Sequence, residues 1–178
     1  VVAVSLYSKP SPLRDWLTFY KDDGETLANP IAGNAIGQIF SRFIQHNAEW
    51  IAGLNLDGAI VVPSTLRPPP HPLAILLQSV GSIPFPILTG LSRTLEPLGH
   101  NAPHSRAFEV SPELIGKRIL LLDDVYTSGA RSQSAAFALR SAGATVAALF
   151  VLGRRYNPDY SADGAAVYQE QRRLPFTW

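Results

Sequence analysis

Arg118-Ile119-Leu120-Leu121-Leu122-Asp123-Asp124-Val125-Tyr126-Thr127-Ser128-Gly129-Ala130-Arg131-Ser132 is the stretch that decides how this chain folds. Ile119 to Leu122 is too short for a helix and apolar on both sides, which predicts a strand buried inside a parallel sheet. Asp123 and Asp124 then stand at its C-terminal end. In open α/β sheets ligands bind outside the carboxyl ends of the strands, so two acids there are placed to meet a ligand.

The turn from Thr127 to Arg131 runs into Ser132 to Arg140, whose alanines and leucine favour helix. Gly129 allows close backbone approach, and free N–H groups with the dipole at a helix start attract an anion such as phosphate. Acids beside a phosphate cradle describe a sugar phosphate: carboxylates accept hydrogen bonds from two neighbouring hydroxyls while the loop holds the phosphate. The plainer alternative is a buried strand ending in an Asp-Asp helix cap. A chemical reason at each position of so long a motif favours the ligand.

Outward from this stretch the strand–loop–helix unit repeats. Asp57 to Pro63 reads as a second buried strand, followed by Ser64-Thr65-Leu66-Arg67 and a helix from about Pro72, proline being tolerated in a first turn. Between Ala32 and Trp50, Ile36, Ile39, Phe40, Phe43 and Ile44 recur three and four apart, the mark of an amphipathic helix over one sheet face. Phe85 to Leu88 is expected as a third strand and Thr145 to Leu152 as a fourth, after a helix stop at Ser141 to Ala144. Val1 to Tyr7 is rich in β-formers and ends at Ser8-Lys9-Pro10-Ser11-Pro12. Thr89 to Pro112 is long for a loop in a compact domain, carries Arg93, His100, His104 and Arg106, and is expected to act as a lid. Residues 161–178 are expected as a surface tail whose aromatic end docks on the body or a partner.

The stretch 118–132 resembles the phosphoribosyl pyrophosphate (PRPP) motif of type I phosphoribosyltransferases: an apolar strand, two acids, two variable residues, Thr-Thr/Ser-Gly-x-Thr and a helix. The resemblance implies an α/β fold with a central, mainly parallel sheet flanked by helices and a flexible loop or hood, in one domain over 1–178 with its core at about 13–153. It implies that Asp123 and Asp124 hold the ribose hydroxyls and that Thr127, Ser128, Gly129, Ala130 and Arg131 wrap the 5′-phosphate. Arg131 departs from the motif, which has a hydroxyl residue there; a guanidinium replaces that donor with a charge-assisted contact, and Ser132 is placed to shift in.

By the same resemblance Ser64, Thr65, Leu66 and Arg67 form the pyrophosphate loop, Arg67 being catalytic with the two acids, and Arg93, His104 and Arg106 belong to the flexible loop. Mg²⁺ is the implied cofactor, held mainly by substrate with Asp123 and Asp124 as its only candidate protein ligands. Within the family the look is most ComF-like, on Val62-Pro63, Arg67 and Ala107-Phe108. The implied reaction displaces pyrophosphate from PRPP by a nitrogen nucleophile, a nucleobase or amine; the alternative is a non-catalytic PRPP- or nucleotide-binding regulatory or accessory protein, ComF-like proteins being linked to DNA uptake. A homodimer is the default for proteins of this look. Lys21 is a weak further candidate, its plainer reading being a solvated lysine, and Arg154 and Arg155 stand at a strand end near the ligand side.

Composition agrees with one globular domain: 46% hydrophobic and 16% charged residues over 178 positions suffice for a core. Fifteen basic and 14 acidic side chains, a net charge of +1, offer no general polyanion-binding surface, so no nucleic-acid partner is expected. The absence of cysteine excludes disulfides, thiolate zinc sites and a cysteine nucleophile. No apolar run reaches the roughly 20 residues that span a bilayer, which predicts a cytoplasmic protein with no membrane partner. There is no methionine, so further sequence upstream of Val1 is expected.

Overall fold

The computed structural model describes residues 1–178 except 22–27, 65–66, 81–82, 100, 158, 160–161 and 175–178, and the side chain at 172. Four parallel strands form the central sheet: β1 (Val2–Tyr7), β2 (Gly58–Val61), β5 (Arg118–Tyr126) and β6 (Thr145–Arg155), in the order β1-β6-β5-β2. Because all four run the same way, their carboxyl ends share one edge, and the site lies on that edge.

β5 is central, so it has no solvent face. Leu120 and Leu122 pack to one side, against Ile36, Phe40 and Ile44 of α2 (Pro30–His46) and Leu73, Leu76 and Leu77 of α4 (Pro72–Val80). Ile119 and Leu121 pack to the other side, against Ala135 and Leu139 of α5 (Ala130–Ser141). The two-residue period of a strand thus turns an unbroken apolar run into two cores. The helix expected over 32–50 is two: α2 ends at His46, and α3 (Ala48–Gly53) follows, with Trp50 stacked on Phe150 at 5.5 Å and Phe43 edge-on to the same ring at 5.3 Å. Before α2, Ser11 caps α1 (Pro12–Phe19) by accepting from the Arg14 N–H, and Pro12 sits in the first turn, where its missing donor costs nothing.

Several expectations are corrected. The strand carrying the motif does not stop at Leu122: pairing with β6 continues through Asp123↔Val151, Val125↔Gly153 and Tyr126↔Arg154, so both acids lie within β5. Phe85 to Leu88 contributes one bridge, Ala59↔Ile87, since Pro86 has no N–H to give and its carbonyl alone accepts from Ala59. The segment from Thr89 to Pro112 holds an antiparallel ribbon, β3 (Leu91–Arg93) with β4 (Phe108–Val110). β6 runs on to Arg155, and β1 joins the sheet at its edge. The expected tail forms α6 (Ala162–Arg173), anchored by the Tyr168 hydroxyl on Ser8 Oγ at 2.6 Å and by stacking of Tyr168 on Tyr156. The aromatic end of that tail, 175–178, lies outside the described residues. Among the described residues no helix is long and apolar enough to cross a membrane.

Candidate active site

The turn between β5 and α5 is built around Gly129, whose φ of +79° is left-handed backbone open to glycine at low cost. A Cβ there would fall on the Tyr126 ring, so the ring itself closes the underside of the loop. Ser128 Oγ accepts from the Ala130 N–H at 3.4 Å, which leaves the first turn of α5 aimed into a cavity of about 460 Å³. Thr127, Ser128, Gly129, Ala130 and Arg131 line that cavity with Asp123 and Asp124.

The acids form the cavity floor, each only 1% exposed. Every one of their oxygens is engaged. Asp123 Oδ1 accepts from Arg131 and from the Asp124 N–H at 2.9 Å, and its Oδ2 accepts from Ser132 Oγ at 2.6 Å. Asp124 Oδ2 accepts from Tyr20 Oη at 2.9 Å and pairs with Lys21 Nζ at 2.7 Å, while Arg131 reaches its Oδ1 at 3.3 Å. Arg131, expected among the phosphate-wrapping residues, is therefore turned back over the carboxylates: the second residue of α5, it faces the end of the strand that the helix follows.

These contacts set the charges. Burial pushes the Asp123 carboxyl up to about 6, against the pull of Arg131 and with the charge of Asp124 adding to it. Burial also opposes ionisation of Asp124, but Lys21 and Arg131 outweigh it and hold that carboxyl well below the usual range. Tyr20, fully buried, is raised well above an ordinary phenol by burial and by the Asp124 charge, so it stays a donor. Arg131 is held more firmly protonated by the two acids in spite of its burial.

A direct contact of Mg²⁺ with Asp123 or Asp124 would have to displace one of the partners their oxygens already hold, Arg131, Lys21, Tyr20 or Ser132. Among the described residues no three His, Cys, Asp or Glu side chains converge.

The expected pyrophosphate loop divides. Thr65 and Leu66 lie outside the described residues, whereas Ser64 and Arg67 line a second, more apolar cavity of about 640 Å³ with Pro63 and His71. His71 links the two: burial lowers it to about 4, and it feels Asp124, Arg131, Lys21 and Arg67, so it is neutral at pH 7. Arg93, His104 and Arg106 stay with the ribbon. Arg93 donates to the carbonyls of Ala107 and Glu96, and Glu96 faces both His104 and Arg106. From that segment it is Leu98 and Gly99 that reach the acid cavity; His100 lies outside the described residues.

The same cavity gathers Tyr7, Lys9, Arg14 and Arg155, brought there by the ends of β1 and β6 and by α1. Sequence patterning pointed to Arg155 by its place at a strand end, and the family resemblance alone pointed, weakly, to Lys21. It passed over Tyr20, which sits beside Lys21 after α1 and read as an edge aromatic. Nothing in local pattern shows that residue 20 will meet residue 124.

No protein-family model and no curated protein matches the sequence. Among solved structures the chain is similar to one described as the allosteric regulatory enzyme of purine biosynthesis, with a TM-score of 0.50 and 18% identity. The fold is the type I phosphoribosyltransferase fold. The match covers 79% of this chain and 30% of that one, so this chain spans less than a third of the enzyme whose fold it shares.

Proposed function

We propose that this chain binds PRPP across the carboxyl edge of its sheet and transfers the phosphoribosyl group to a nitrogen nucleophile in the cytoplasm, as a ComF-like member of the superfamily. The observation that carries the reading is the buried Asp123-Asp124 pair on the floor of one cavity with the Thr127–Ala130 turn and the start of α5. Acids at that depth are costly unless they are used, and perturbed groups in a cleft mark functional sites.

In this reading the Thr127–Ala130 turn takes the 5′-phosphate, with its N–H groups and the helix dipole compensating the charge. The ribose hydroxyls take over carboxylate oxygens from Arg131 and Lys21, the charged partners that line the cavity. The bond from C1 to the diphosphate oxygen breaks with its electron pair, the nitrogen lone pair closes on C1, and the proton shed by nitrogen passes to water. Positive charge grows on the ribose as the bond breaks, and the carboxylates beside it lower that barrier. Mg²⁺ belongs in this reading to the diphosphate of the ligand.

A second reading, ligand binding without transfer, is favoured by one observation: Arg131 and Lys21 hold the acids in a closed, internally neutralised state. Calorimetric titration of PRPP with and without Mg²⁺, followed by pyrophosphate release against a panel of nitrogen bases, separates them. Binding with release supports transfer, binding without release supports a sensor, and absence of binding overturns both.

A further inference from the structure

We infer that Arg131 makes ribose binding conditional on the 5′-phosphate: its guanidinium occupies the place of a vicinal diol between the two acids, and a phosphate in the Thr127–Ala130 turn draws it away. This rests on the PRPP reading and assigns the selectivity of that site for phosphorylated over plain sugar to one residue. Among the described residues Arg131 alone reaches both acids with its side chain. Its Nη2 bridges Asp123 Oδ1 and Asp124 Oδ1, the latter at 3.3 Å. Withdrawing it opens one oxygen on each carboxylate, the pair of acceptors that two neighbouring hydroxyls need.

The neutral partners of the acids are fixed in place. The Ser132 and Tyr20 hydroxyls are buried on Asp123 Oδ2 and Asp124 Oδ2, and the Asp124 N–H belongs to the backbone of β5. Lys21 pairs with Asp124 only. Arg131 differs from all of these. Its side chain is one-quarter exposed and starts from the second position of α5, so its Cα belongs to the turn while its guanidinium covers the acids. A change of side-chain rotamer carries the group from one to the other without moving the helix. Ser132, placed by sequence to supply the hydroxyl missing at 131, donates to Asp123 instead, so Arg131 is the side chain left to complete the turn.

Charge decides which ligand can make the exchange. Arg131 and Lys21 together balance the two acids. A plain sugar that displaced the guanidinium would replace an ion pair with neutral hydrogen bonds and leave a buried carboxylate one cation short, which is strongly unfavourable. A phosphate ester carries nearly two negative charges and accepts from a guanidinium in bidentate fashion, so it gives Arg131 a new partner as the acids release it. Only the phosphorylated sugar supplies both halves of that exchange.

The test is a binding cycle on the full chain. The affinity of D-ribose is measured by NMR with and without saturating inorganic phosphate, on the wild type and on Arg131→Thr, which restores the hydroxyl of the motif and is checked for fold by circular dichroism. Phosphate is expected to raise ribose affinity about tenfold in the wild type, within the usual span of coupling between two sites. Arg131→Thr is expected to bind ribose about tenfold tighter than the wild type without phosphate, and to gain nothing when phosphate is added. In the wild type, phosphate alone should also shift the side-chain carboxyl carbon resonances of Asp123 and Asp124, a readout that needs no variant. Ribose binding indifferent to phosphate, coupling that survives in Arg131→Thr, or carboxyl resonances that stay still while those of the turn move would overturn the inference. PRPP titrated in parallel keeps the two readings apart. PRPP binding without the coupling leaves the PRPP reading intact and removes the role of Arg131, whereas coupled binding of ribose and phosphate in a chain that takes no PRPP supports that role and overturns PRPP as the ligand. Binding of none of the three overturns both.

Discussion

Replacing Arg131 by alanine tests the electrostatics of the site most directly. The guanidinium is one-quarter exposed and touches two carboxylates that are almost wholly buried. Removing one partner of a buried pair costs about 3–5 kcal/mol, because the charge left behind has no counter-ion. Lys21 still neutralises Asp124, and the cavity admits water beside Asp123, so a loss of about 3 kcal/mol at pH 8 is expected, the low end of that range. The sign with pH follows from Asp123. Its folded-state value of about 6 lies above the 3.8 of an unperturbed Asp, so the folded protein binds the extra proton between those values and stability falls as pH rises through the window. Above about pH 6 the wild-type curve levels off with respect to this group. Without Arg131 the folded value rises further, so the variant goes on losing stability above pH 6, while near pH 4 Asp123 is protonated in both proteins and the gap narrows to the Asp124 contact. Urea denaturation of both proteins from pH 4 to 8 measures this, and Arg131→Ala with Asp123→Asn restores most of the loss at pH 8. A deficit that is the same at every pH, or that Asp123→Asn deepens, would refute the reasoning.

Tyr20→Phe removes one hydrogen bond to an ionised, buried carboxylate without changing shape; a loss of about 2 kcal/mol in denaturant unfolding is expected, and no loss would mean that Lys21 and Arg131 alone satisfy Asp124. Gly129→Ala forces a side chain into left-handed backbone and onto the Tyr126 ring, so stability should drop by about 1–3 kcal/mol together with PRPP affinity in calorimetry. Unchanged affinity would separate the turn from phosphate binding. Phe150→Ala empties the contact between Phe43 and Trp50 and should cost about 3–5 kcal/mol, read as a shift in the denaturation midpoint with an unchanged slope.

Local chemistry made the fold legible. Ile119 to Leu122, Asp57 to Pro63 and Thr145 to Leu152 are apolar on both faces because parallel strands covered by helices have no wet side, and that property is written into consecutive residues. The phosphate-type turn was legible for the same reason, since Gly129 and the start of α5 are neighbours in sequence. One expectation failed because a partner distant in sequence decided the outcome: the strand outran Leu122 because β6 offered Asp123 to Tyr126 a ladder to pair with. Another failed for a local reason, since Phe85 to Leu88 fell short because Pro86 had no donor to give.

By itself, then, the sequence determined a parallel α/β sheet, two adjacent acids on its central strand and a glycine turn leading into a helix. Only the tertiary structure decided what surrounds those acids. Tyr20 and Lys21 reach Asp124 across more than a hundred positions, Arg131 turns back from its helix to cover both carboxylates, and Lys9, Arg14 and Arg155 line the same cavity from the ends of β1 and β6 and from α1. The physical reason is that strand and turn preferences act between neighbours, whereas the charge state of a buried carboxylate depends on which cations the folded chain brings within a few ångströms.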